Sequence, residues 1–136
     1  IRTVNTELNN YIDYLDNVIM GRNQAAIITG EGKIMRLLHR IDERKITPCA
    51  FVRVKLETGA MMSFFEKNSK LLGDDVVWIR YCKDGFILLF GSKNAEQAMK
   101  IIESKIPATE MPENILANNT DEKRNATALY EALVNA

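Results

Sequence analysis

The sequence predicts a mixed α/β domain of the α+β kind: a mostly antiparallel sheet covered by helices and preceded by an amphipathic helix. Three observations carry that expectation. Apolar residues alternate with period two from Ala50 to Leu56, as a strand requires. Asp84-Gly85 stands between the apolar runs Val76–Tyr81 and Phe86–Phe90, the sequence signal of a hairpin. Apolar residues recur at spacings of three and four within residues 31–43, 59–72 and 93–105, which is helical periodicity.

The first helix is expected over residues 6–20, with Leu8, Tyr11, Ile12, Leu15, Val18 and Ile19 on one side. Thr6 fits its N-cap and Gly21 its stop. Glu7, Asn9, Asn10, Asp13 and Asp16 make the polar side. That pattern suits a helix packed on its own domain, or the end of a signalling stalk that pairs with a second copy. Residues 1–22 then read as a signalling and dimerisation helix, and residues 23–136 as the domain proper.

The helix over 31–43 puts Ile34, Leu37, Leu38 and Ile41 on one face, and Pro48 closes the connection after it. In the strand that follows, Ala50, Val52, Val54 and Leu56 alternate with Phe51, Arg53 and Lys55. The helix over 59–72 bears Met61, Met62, Phe64, Phe65 and Leu72. Paired methionines of this kind are core filler more often than a cofactor site. After the hairpin, the helix over 93–105 carries Ala95, Ala98, Met99, Ile101 and Ile102. The order β-α-β-β-α is most of a ferredoxin-like split unit, with helices expected on one sheet face. Residues 107–125, with Pro107, Pro112 and several Asn, read as a long loop holding a short strand near Ile115–Leu116. A closing helix over 126–134 presents Leu129, Tyr130 and Leu133.

A length of 136 residues fits one domain and buries a core without staples or metals. Lys plus Arg is 18 and Asp plus Glu is 18, a formal net charge of zero. That balance favours neither nucleic acid nor an anionic membrane. His39 is the only histidine, and Cys49 and Cys82 are the only cysteines. A structural zinc site needs about four such ligands, so zinc is not expected. Buried, reduced thiols of a cytosolic protein are. Asn118-Asn119-Thr120 and Asn125-Ala126-Thr127 fit the glycosylation pattern, which means nothing without a secretory context. No apolar run approaches the roughly 20 residues of a membrane span, and no signal-peptide pattern opens the chain. The expectation is a cytoplasmic domain, and the opening on Ile1 suits a piece of a longer protein.

Three segments, in order, resemble one family. Asp16-Asn17-Val18-Ile19-Met20-Gly21-Arg22-Asn23-Gln24 is similar to D-x-L-T-G-L-x-N-R, with Asp16 and Asn23 in register and Gln24 in place of the final Arg. Arg80-Tyr81-Cys82-Lys83-Asp84-Gly85-Phe86 sits on a hairpin where R-Y-G-G-D-E-F would, matching at Arg80, Tyr81, Asp84 and Phe86. Ala128-Leu129-Tyr130-Glu131-Ala132 is similar to A-L-Y-x-A. Together they resemble GGDEF (diguanylate cyclase) domains, over roughly residues 8–136.

The resemblance implies a reaction that joins two GTP molecules into cyclic di-GMP, each domain of a dimer presenting one. It also implies magnesium-type ions held by carboxylates from an L-D-x-D strand and from the signature turn. Here the strand segment is Val52-Arg53-Val54-Lys55, both acidic positions being cationic, and the acidic fourth signature residue is Gly85. Asp84 alone cannot hold a metal against two nearby cations. Cys82 and Lys83 replace the two small glycines that admit the nucleotide. The family's R-x-x-D product site falls on Lys70-Leu71-Leu72-Gly73-Asp74-Asp75, which lacks the Arg.

The expectation is therefore a catalytically inactive, degenerate GGDEF-like regulatory module of cyclic di-GMP signalling. It would use no metal or cofactor and would act as a homodimer or through a partner signalling protein. The alternative is a receptor for cyclic di-GMP or GTP, with Arg53, Lys55, Lys83 and Asn23, joined by Arg80, as the phosphate-binding set. Against that set, Arg53 and Lys55 would line a solvated sheet face and pair with Asp74, Asp84 or Glu57. The family resemblance requires the Arg53 strand and the signature hairpin to be neighbours in one sheet, with Arg53 and Asp84 near each other.

Overall fold

Residues 27–45, 47–73 and 76–136 are described by the computed structural model of the chain. The helix expected over 6–20 lies outside them. In chain order the described elements are β1 (Ile27–Thr29), α1 (Glu31–Arg44), β2 (Cys49–Lys55), α2 (Met61–Leu72), β3 (Val77–Cys82) and β4 (Gly85–Gly91). They continue with α3 (Ala95–Lys105), a 3-10 turn (Ala108–Glu110), β5 (Asn114–Asn119) and α4 (Ala126–Val134). The strands form one sheet in the order β1-β3-β4-β2-β5. β1 runs parallel to β3, and the other three pairings are antiparallel. The fold is the expected α+β one, mostly antiparallel and GGDEF-like in its class.

Helices were expected on one face of the sheet; they cover both. On one face α1 and α4 pack Leu37, Leu38, Ile41, Leu129 and Leu133 against Phe51, Ile79, Ile87 and Leu89. On the other, α2 and α3 pack Met61, Phe64, Leu72, Ala98 and Ile102 against Val52, Trp78, Phe86, Leu88 and Phe90. β3, β4 and β2 are the inner strands, and β2 and β4 are buried at every position but their last. Strands covered on both faces read as continuous apolar runs, and Phe86-Ile87-Leu88-Leu89-Phe90 is such a run. Trp78 anchors the second face, with Phe65 at 5.0 Å and Phe86 at 5.1 Å between centroids, both edge-on. That geometry suits the aromatic quadrupole.

One strand was not expected and one is longer than expected. β1 is only three residues long, too short for alternation to reveal, and exists because β3 offers it a parallel edge. The short strand expected near Ile115–Leu116 is present as β5, longer than expected at six residues and paired in unbroken register with β2. Its Asn-rich sequence has low strand propensity, and tertiary pairing overrides it.

The helix ends follow local chemistry. Asn94 caps α3 through a reciprocal box with Gln97, which satisfies two orphan donors. Asn125 caps α4 by accepting from the Ala128 N–H. Asp42 of α1 reinforces that end, accepting from the Ala126 N–H at 2.7 Å, the Thr127 N–H and the Thr127 hydroxyl. A carboxylate at a helix N-terminus is favoured by the macrodipole, so Asp42 ties α1 to α4 across the first face.

Candidate functional site

The signature hairpin is built from β3 and β4. Arg80 pairs with Phe86 and Cys82 with Gly85, leaving Tyr81 as the extra residue of a bulge. Lys83 and Asp84 form the turn, so Gly85 is the first residue of the returning strand and not part of the turn as its Asp84-Gly85 signal implied. Arg80 closes the turn itself, donating from Nη2 to the Lys83 carbonyl at 2.9 Å and from Nε to the Cys82 carbonyl at 3.4 Å. The Asp84 carbonyl accepts from the Leu56 N–H at 2.8 Å.

β2 lies beside this hairpin, with Lys55 opposite Gly85 and Arg53 opposite Ile87. The strand adjacency that the resemblance requires is therefore present. The side chain of Arg53, however, does not face solvent. Only 8% of Arg53 is exposed. Its Nη1 donates to the Leu133 carbonyl at 3.1 Å and to the backbone oxygen of Ala136 at 2.8 Å. Its Nη2 donates to Asn114 Oδ1 at 2.8 Å. The guanidinium caps the C-terminal end of α4, where unsatisfied carbonyls and the negative end of the dipole favour a cation. The expected pairing of Arg53 with Asp74, Asp84 or Glu57 on a solvated face is corrected by this geometry; Asp74 lies outside the described residues.

The bulge aims Tyr81 over Gly85. A Cβ added to Gly85 would overlap the Tyr81 ring, 2.5 Å from both Cε1 and Oη. Gly85 does not have the positive φ found at Gly30, Gly59 and Gly73. Glycine here answers a need for space, not for backbone freedom. Burial, the neighbouring Cys82 and a Cys82 hydrogen bond raise the Tyr81 phenol to about 12, against a smaller opposing pull from Arg53. Tyr130 is raised too, first by burial and then by Glu31 and Cys82. Both phenols stay protonated at neutral pH and cannot act as bases there.

The cationic residues are dispersed. Arg80 and Lys83 line a cleft of about 680 Å³ between the β1–α1 junction, the hairpin and α4. Lys55 lines a second cleft, of about 580 Å³, between the β2–α2 connection and residues 109–114. Arg53 lines neither. Asn23 lies outside the described residues, as do Asp16, Gln24 and Asp75. Among the described residues no group of three His, Cys, Asp or Glu side chains is placed to hold a metal ion.

A second register of the opening pattern escaped the reading by motif. Ile28-Thr29-Gly30, directly ahead of α1, repeats the L-T-G of D-x-L-T-G-L-x-N-R. In that register the N and R positions are Lys33 and Ile34, and Ile34 is buried in the core. The signal was the T-G pair abutting a helical pattern.

The two cysteines differ. Cys49 is fully buried, its thiol pushed up to about 12 by burial and by the nearby Asp42. Cys82 is exposed, which corrects the expectation of two buried thiols. Thiolates, not thiols, react. A disulfide-exchange reagent at neutral pH is therefore expected to label Cys82 alone in the folded protein. Cys49 should react only at the rate of unfolding. A second fast thiol would contradict this.

The sequence matches no family model and no curated protein. Among solved structures, the chain is similar to a DGC (diguanylate cyclase) protein from Thermotoga maritima. The two share 21% identity at a TM-score of 0.55, over 82% of this chain and 93% of that one. A transcriptional regulatory protein of the ASNC family from Pyrococcus furiosus overlaps at a TM-score of 0.40 and 16% identity, over 74% of this chain and 78% of that one. Nothing rests on this second likeness. The first shows the fold, a GGDEF-like one.

Proposed function

We propose that this GGDEF-like chain is a regulatory module of cyclic di-GMP signalling that does not perform the cyclase reaction and acts through contacts with proteins. The observation that carries this reading is the state of Arg53. It occupies the position where the resemblance puts a metal carboxylate, and its guanidinium is buried and committed to the end of α4. A cation in that place repels a divalent metal and supplies no ligand. At the acidic position of the signature, Gly85 lies under the Tyr81 ring and leaves no room for a carboxylate.

Incubation of the purified chain with GTP and magnesium or manganese is expected to yield no cyclic di-GMP above a no-protein control. Turnover that scales with protein concentration would overturn the reading. The receptor alternative keeps Lys83 and the cleft of about 680 Å³ beside it. Calorimetric titration with GTP and with cyclic di-GMP, with and without magnesium, separates the two readings. Saturable heat with either nucleotide favours the receptor.

A further inference from the structure

We infer that two copies of this chain associate through the outer edge of β5, in antiparallel register about a two-fold axis at Leu116, to give one continuous sheet. The inference supplies a surface for the protein contacts proposed above and rests on that reading only to that extent.

β5 is the last strand of the sheet and, among the described residues, pairs on one side only. Edge strands carry unpaired N–H and C=O groups, and proteins usually guard them with Lys, Pro, inward charges or bulges. Asn114-Ile115-Leu116-Ala117-Asn118-Asn119 has none of these, and its register with β2 shows no shift. Leu116 is 40% exposed, one of few large apolar side chains left so among the described residues.

The backbone direction follows from one bond. The Thr120 N–H donates to the Cys49 carbonyl, so Thr120 faces β2. Antiparallel ladders alternate, so Asn118, Leu116 and Asn114 face β2 as well. The amides of Ile115, Ala117 and Asn119 then point to the open edge. The Asn119 N–H agrees, being taken by the Asn118 side chain rather than by β2. Ile115 and Ala117 remain to pair with another strand.

The strand is chemically palindromic about Leu116: Asn114 and Asn118 are polar, Ile115 and Ala117 apolar. An antiparallel copy with its dyad on Leu116 sets Ile115 opposite the partner's Ala117, in outward, hydrogen-bonded pairs. It sets Leu116 opposite the partner's Leu116, and Asn114 opposite the partner's Asn118, in the closer non-hydrogen-bonded pairs. Like then meets like on both faces, as an isologous interface requires. No two charges face each other, because Glu113 falls opposite Asn119. A dyad between residues 116 and 117 would set outward amides against inward ones and is excluded. A stretch this short buries less than the roughly 1,200 Å² of a stable interface, so the dimer is concentration-dependent.

Sedimentation velocity of the full chain over two decades of concentration is expected to show reversible monomer–dimer exchange. Leu116→Lys puts like charges on the dyad, directly opposite each other, and should weaken association tenfold or more with an unchanged circular dichroism spectrum. In a Cys82→Ser background, mild oxidation of Leu116→Cys should give a covalent dimer, because non-hydrogen-bonded pairs bring Cα atoms to about 4.5 Å. Asn118→Cys should not, its two copies lying roughly 13 Å apart in this register. A monomer at every concentration, a dimer unmoved by Leu116→Lys, or equal cross-linking through position 118 would each overturn the inference. None of them touches the cyclase assay, which tests the loss of chemistry separately.

Discussion

Replacing Arg53 with Met is expected to lower the unfolding free energy by about 3 kcal/mol, the scale of a buried charged donor that loses several acceptors. Met keeps the volume and the apolar stem. What it removes is the donation to Leu133, Ala136 and Asn114. The end of α4 then loses the group that satisfies its carbonyls, and Asn114 of the edge strand loses its tie to β2. Arg53→Asp should lose more, about 4 kcal/mol, because it buries an unpaired negative charge at the negative end of a helix. Against a typical stability of about 5–15 kcal/mol, that variant would be close to unfolding. Urea denaturation reads both, as a fall in midpoint at unchanged m-value. A loss below about 1 kcal/mol for Arg53→Met, the level of an exposed pair, would mean that the guanidinium does not hold α4. The same experiment bears on function: restoring the family's carboxylate at this site should damage the fold before it could restore a metal site.

Gly85→Ala is expected to cost about 2 kcal/mol, an overpacking penalty caused by a single methyl group. Its Cβ would occupy the space of the Tyr81 ring, and that ring packs against the first core. Gly85→Glu should cost at least as much, since it adds a carboxyl group at a buried position. The discriminating measurement is a double-mutant cycle. In a Tyr81→Ala background, Gly85→Ala should become nearly neutral, with a coupling of about 1 kcal/mol or more. Additive losses would show that Tyr81 is not what keeps residue 85 a glycine. The tyrosine and the glycine are thus one feature: the bulge turns the ring inward, and the missing side chain receives it.

Most element types were legible in the sequence, because periodicity is a local property. The helical spacing of Ile34, Leu37, Leu38 and Ile41, and the apolar runs on either side of Lys83 and Asp84, needed no partner to be read. The charge reversal at Arg53 and Lys55 and the absence of an acid at position 85 were also visible there, since side-chain chemistry does not wait for folding. The rest depended on contacts between segments distant in the chain. β1 exists, and β5 extends past Ile115–Leu116 into its Asn-rich ends, because neighbouring strands offer backbone partners, not because Ile27–Thr29 or those Asn residues prefer to be extended. Helices cover both faces because β3, β4 and β2 are inner strands, a matter of sheet order. Arg53 became a buried cap and not a surface cation because α4, 80 residues later, lays its carbonyl end over β2. Burial and hydrogen-bond partners belong to pairs of segments distant in the chain, and no window of sequence contains both.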